Sequence, residues 1–187
     1  MSYAASIVPD RAFVLGHRLK PFTLGHAHLL DLVQSPFLRG GSPALGDLVL
    51  AVELCRISWE KARELLQYPG LAKRVEKIGK RICRRRLGYE SDDFSEFVAY
   101  LSEATNGPGF WVKSEENQKK TSGSPWLQSL KSTLLRGGRT YAETMNTPLR
   151  EALWDFAAYW EQEVSLEIQS ETEQAILEAA KAQDGGH

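Results

Sequence analysis

The chain has 187 residues, 42% hydrophobic and 25% charged, and 23 Lys and Arg against 24 Asp and Glu give a formal net charge of -1. That length suits one domain, or a domain with an appendage, and the composition excludes wholesale disorder. No run approaches the ~18 continuous apolar residues of a membrane span, and Met1–Arg11 lacks the basic start and apolar stretch of a secretory signal, so a cytoplasmic protein is expected.

The neutral total is a cancellation. Residues 1–88 carry 15 Lys/Arg and 7 Asp/Glu, net +8, whereas residues 89–187 carry 8 and 17, net -9. Such asymmetry points to a protein with two electrostatic poles.

In chain order, helix signals dominate. Thr23 is placed to cap a helix to about Val33, closed by Ser35-Pro36. Ser42-Pro43 offers a cap followed by proline, and the stretch from Ala44 to Cys55 is apolar around most of its circumference, as a core helix is. Ser58 opens a short helix that ends near Gln67, before Pro69. Leu71, Val75, Ile78 and Ile82 recur at helical spacing up to a stop at Gly88. Ser91 caps a helix with Phe94, Phe97, Val98 and Leu101 on one face, ended by Asn106-Gly107-Pro108-Gly109. After a polar stretch, Ser124-Pro125 starts a helix with the stripe Leu127, Leu130, Leu134, and Thr147-Pro148 starts another bearing Leu149, Leu153, Phe156, Ala157, Trp160 and Val164. The stripe fails beyond Val164, and the capping-box pattern Ser170 to Glu173 opens a separate terminal helix. Only Phe13–Leu19 and Phe110–Val112 have extended character.

The expected fold is therefore all-α, an irregular bundle of about seven or eight helices with at most one small β-hairpin. Residues 1–105 form a basic N-terminal helical core, 106–124 a polar loop, and 125–187 an acidic C-terminal helical segment packed on that core.

Residues with chemical potential are few. His26 and His28 stand roughly 200° apart on a helix, so they cannot share a metal ion. His26 falls with Phe22, Leu29, Leu30 and Val33, which makes it a buried structural imidazole bonded to a backbone group or a carboxylate. Cys55 and Cys83 cannot build a disulfide framework and suit a reducing compartment. Neither GxGxxG nor GxxxxGK[ST] occurs, and no carboxylate pair stands out among Glu residues that face outward. No enzyme, metal or cofactor is expected.

The strongest local signal is Lys73, Arg74, Lys77, Lys80, Arg81, Arg84, Arg85 and Arg86, eight cations against Glu76 alone. Val75, Ile78 and Ile82 keep one face apolar, so this is a basic amphipathic helix. An acidic protein surface is its preferred partner, and the chain itself offers one in Glu161, Glu163, Glu167, Glu171, Glu173 and Glu178. A solvated face, or a helix that binds nucleic-acid phosphates, is the alternative reading. Trp154, Phe156, Tyr159 and Trp160 belong to a helix and mostly to the core. Phe110 and Trp111 sit in the loop, where they either anchor a partner or tuck back onto the core.

Leu19-Lys20-Pro21-Phe22-Thr23-Leu24-Gly25-His26, with Leu29-Leu30, Ser35-Pro36-Phe37, Gly46-Asp47-Leu48 and Leu54-Cys55, resembles proteins of phage and prophage tail-gene clusters. The stretch Ser124-Pro125-Trp126 through Asn146-Thr147-Pro148-Leu149 to Ala152-Leu153-Trp154 is similar to the same group. These are small helical proteins that look like tail assembly chaperones of long-tailed phages. The resemblance implies a non-enzymatic protein that binds the tape measure protein, keeps it soluble and self-associates along it.

Overall fold

The computed structural model describes residues 12–85, 92–108, 110–112, 125–163 and 166–168; for Arg85, 110–112, Glu163 and 166–168 it describes the backbone alone. The protein is all-α: nine helices are found among the described residues, with two short antiparallel strand pairs. They are β1 (Phe13–Val14), β2 (His17–Arg18), α1 (Leu24–Leu32), α2 (Pro36–Arg39), α3 (Leu45–Cys55), α4 (Trp59–Leu66), α5 (Leu71–Arg85), α6 (Asp92–Thr105), β3 (Phe110–Val112), α7 (Trp126–Arg136), α8 (Tyr141–Asn146), α9 (Leu149–Glu163) and β4 (Leu166–Ile168).

Helix α1 is the hub, because it packs against α2, α3, α4, α7, α8 and α9. One apolar cluster therefore draws on both halves of the chain, joining Leu24, Leu30, Leu48, Leu54 and Phe97 to Leu127, Leu130, Leu134, Leu149 and Ala152. The N-termini of α1 and α9 are stitched together by backbone bonds, Leu24 N–H to Thr147 O (2.9 Å) and Leu149 N–H to Phe22 O (2.8 Å). Pairing these ends satisfies donors that a helix start leaves without an intrahelical partner.

Several elements begin as their sequence signals require, and three do not. Helix α3 begins at Leu45, not at Pro43, because Asp47 accepts the Ala44 N–H at 2.8 Å and supplies the cap that Ser42 was expected to give. Thr147 closes α8 and its hydroxyl donates to Glu143 O at 2.9 Å, so it is not a free N-cap for α9. Phe110–Val112 is a strand, paired in register with Ile168–Leu166 far along the chain. Leucine and glycine at Leu15 and Gly16 take φ values of 53° and 76°, the left-handed pair that a two-residue β1–β2 hairpin turn demands. Asp93 on α6 accepts the Leu15 N–H at 2.6 Å and holds that turn.

Two further elements carry no strong apolar stripe: the short α2, and α8, whose Thr140 and Glu143 form a reciprocal capping box. Arg139, in the turn between α7 and α8, ties that turn to α9, donating to Thr147 Oγ1 (2.8 Å), Glu151 (3.2 Å) and Asp155 (2.6 Å). Removing these charge-assisted bonds with Arg139→Ala is expected to cost about 2 kcal/mol. Urea melts of the two proteins at neutral pH check it. The expected terminal helix at 170–187 lies outside the described residues, and no described helix is long and apolar enough to cross a membrane.

Candidate partner-binding site

The basic amphipathic helix is α5. Its apolar face is Leu71, which is buried, with Val75, Ile78 and Ile82 only half-buried. The main packing partner of α5 is a single helix, α3. This follows from composition: a helix with seven cations in 15 residues offers too little apolar surface to be enclosed on several sides.

One polar anchor fixes it. Glu53 lies on α3 and is 3% exposed, in a helix whose other buried residues are apolar or a thiol. Its carboxylate is shared by two guanidinium groups, Arg56 Nε at 2.8 Å and Arg74 at 2.7 Å. A buried carboxylate is tolerable only with such partners, so Arg74 clamps α5 to α3 while its side chain stays 45% exposed. This corrects the expectation that the Glu residues face uniformly outward. Glu53 was legible only as the one charge beyond the first turn of an otherwise apolar helix, which is itself a signal for a buried ion pair. Glu53→Ala is expected to destabilise the fold by about 2 kcal/mol, less than a fully buried pair because both arginines reach solvent. Faster amide exchange along α5 than along α1 would report the loosened clamp.

The other cations of α5 project outward. Lys73, Lys77, Lys80, Arg81 and Arg84 are exposed; Lys80 pairs with Glu76 on its own helix at 2.5 Å. For Lys73, Lys77, Arg81 and Arg84 no ion pair is found among the described residues. Arg85 is described as backbone only and Arg86 lies outside the described residues, so neither is placed as a side chain. Phe110 and Trp111, read as an extended stretch within the polar loop, form backbone pairs with Ile168 and Glu167, and their side chains are likewise not described.

Between the β1–β2 hairpin, α3 and α5 lies a cavity of about 410 Å³. Its apolar wall is Leu15, Val49, Val52, Ile78 and Ile82, and its polar rim is His17 with the charged Arg56, Arg74 and Arg81 around Glu53. Sequence reasoning missed it, because it is assembled from three elements separated along the chain.

The histidines serve structure. The His26 ring, 1% exposed, accepts at Nδ1 from the Thr23 hydroxyl (2.9 Å) and donates from Nε2 to Ile57 O (2.9 Å). A carbonyl only accepts, which fixes Nε2 as the protonated nitrogen of a neutral ring. Burial holds the His26 pKa below the ordinary histidine value, against an upward pull from the Ile57 carbonyl and Glu60. The neighbouring His28 faces α7 and is lowered by burial and by Lys131. Cys55 is buried, and burial pushes its thiol up to about 12, so it is no nucleophile at neutral pH. Among the described residues no three His, Cys, Asp or Glu side chains form a metal-sized group.

Compared with protein families, curated proteins and solved structures, the chain matches none.

Proposed function

We propose that this chain is a non-enzymatic assembly chaperone that holds an acidic, largely helical client against α5 and associates with copies of itself as it does so. The observation that carries the reading is the state of α5: a helix fastened on one side by its apolar face and the Arg74–Glu53 clamp, with Lys73, Lys77, Lys80, Arg81 and Arg84 turned to solvent. A row of exposed cations beside half-covered apolar side chains is complementary to an acidic amphipathic helix, in charge and in the apolar contact that fixes register. The resemblance to tail assembly chaperones makes the tape measure protein the client to try first.

The test is co-purification with a helical tape measure fragment at low and high salt. Reversing Lys73, Lys77, Lys80 and Arg84 to Glu is expected to weaken capture at least tenfold at low salt, because each rim charge contributes mainly through long-range attraction. Equal capture by the reversed variant sinks the proposal. A gel shift of DNA or RNA that is steeply salt-dependent, abolished in a variant with Arg84, Arg85 and Arg86 changed to Glu, and unaccompanied by client capture, transfers α5 to nucleic acid instead.

A further inference from the structure

We propose that the cavity between the β1–β2 hairpin, α3 and α5 is the seat of segment 169–187 of a second copy of this chain. It rests on the reading of α5 as a binding face, and adds to it a defined acceptor and a defined insert.

The acceptor is preorganised. Glu53 orients the guanidinium groups of Arg56 and Arg74 at the rim, leaving their outer N–H groups with side chains 28% and 45% exposed. Arg81 completes a cationic edge with His17 beside it, while Leu15, Val49, Val52, Ile78 and Ile82 supply an apolar wall. Such a site takes a side chain that is large and apolar, with a carboxylate about one helical turn away.

Segment 169–187 has that chemistry. It carries Glu171, Glu173, Glu178 and Asp184 against Lys181, and its bulky apolar side chains are the adjacent pair Ile176 and Leu177. Glu173 precedes them by three and four residues, the spacing that puts a carboxylate and an apolar side chain on one face of a helix. The described chain leads into this segment from β4, which packs on β3 and α9, whereas the cavity is built from the hairpin, α3 and α5. Acceptor and insert thus belong to different parts of one chain. A contact between unlike patches is heterologous and propagates head to tail, as a protein coating an elongated client requires.

The experiment contains no client, so its failure leaves client capture to be judged by its own test. Sedimentation of the full chain at low salt is expected to show mass rising with concentration, and to collapse towards monomer at high salt. A full chain carrying E173K and L177S together is expected to stay monomeric at low salt, and to bind a labelled 169–187 peptide in trans. The same peptide with I176S and L177S is expected to bind at least tenfold more weakly, and so is the unaltered peptide against that chain further changed by R81E. Because the first comparison alters only the peptide, misfolding cannot produce its loss. Undiminished self-association of the E173K/L177S chain overturns the proposal, as does a peptide that fails to bind. A full chain that is monomeric at low salt while the peptide binds the vacated site also overturns it, and places the segment on its own chain.

Discussion

Gly25→Ala is expected to lower the unfolding free energy by about 3 kcal/mol, although alanine is the better helix former. A methyl group on Gly25 would lie 2.7 Å from Trp59 Cγ, 2.8 Å from Trp59 Cβ and 2.8 Å from Met145 O. Backbone oxygen on α8 and the root of a buried indole on α4 cannot step aside, so α1 would have to move away from both. Since α1 is the hub, that displacement spreads to the whole core. A shift of about 3 kcal/mol corresponds to a drop of roughly 6–12 °C in Tm for a chain of this size. The matching control is Gly79→Ala in the middle of α5, where a methyl group meets nothing within 4 Å. There the same substitution is expected to stabilise by up to about 1 kcal/mol, from helix propensity alone. Thermal melts of both variants decide it: equal effects at the two glycines would mean that α1 does not cross α4 and α8 so closely.

His26→Ala is the second large effect, expected at about 3 kcal/mol. The change removes the ring that completes the N-terminal cap of α1 and leaves the Ile57 carbonyl without its donor. In the capping box Thr23-x-x-His26, imidazole takes the place usually held by Glu or Gln, and its second nitrogen reaches across to the start of α4. One side chain thus caps a helix and pins a neighbour.

The same bonds set a pH dependence whose sign is fixed. His26 and His28 both have folded-state pKa values below the usual 6.5, so the folded protein prefers the neutral rings. Their contribution to stability is full above about 6.5 and is lost as pH falls through that unfolded-state value towards the folded ones. Glu60, Glu76 and Glu143, held below the usual carboxylate value by Asn146, Lys80 and Thr140 respectively, weaken the fold only at more acid pH. Among the described residues, His26 and His28 therefore make stability fall as pH drops below about 6.5, and Asp155, raised above the usual carboxylate value by burial, opposes them at lower pH. His26→Asn is expected to be less stable at neutral pH and to show a flatter slope across that window. An unchanged slope would reassign the dependence to His28.

Much of the helical architecture was legible along the chain, because caps and stops are local. Thr23, Ser58, Ser35-Pro36 and Gly137-Gly138 act within a few residues of themselves, and so do the stripes Leu127, Leu130, Leu134 and Leu71, Val75, Ile78, Ile82. Helix α8 was equally local in origin, since Thr140 and Glu143 stand at capping-box spacing, but six residues carry too few apolar positions to show a period. The candidate site was half legible. Periodicity displayed the cationic face of α5 and its apolar companions. It had no access to Glu53 as the clamp of Arg74, or to the hairpin and α3 as the other walls of the cavity.

By itself the sequence determined that this is a helical protein with a basic half and an acidic half, and where most helices start and stop, since capping, periodicity and net charge depend on residues close in the chain or on plain counting. The tertiary structure alone decided which charges are paired within the fold and which face solvent. Arg74, Arg56 and Arg139 are committed to carboxylates in the same chain, at 2.7, 2.8 and 2.6 Å, and Lys73, Lys77, Arg81 and Arg84 face outward. That division is long-range. It depends on which helices cross, on the missing side chain at Gly25 that lets α1 approach α4 and α8, and on strand partners as far apart as Phe110 and Ile168.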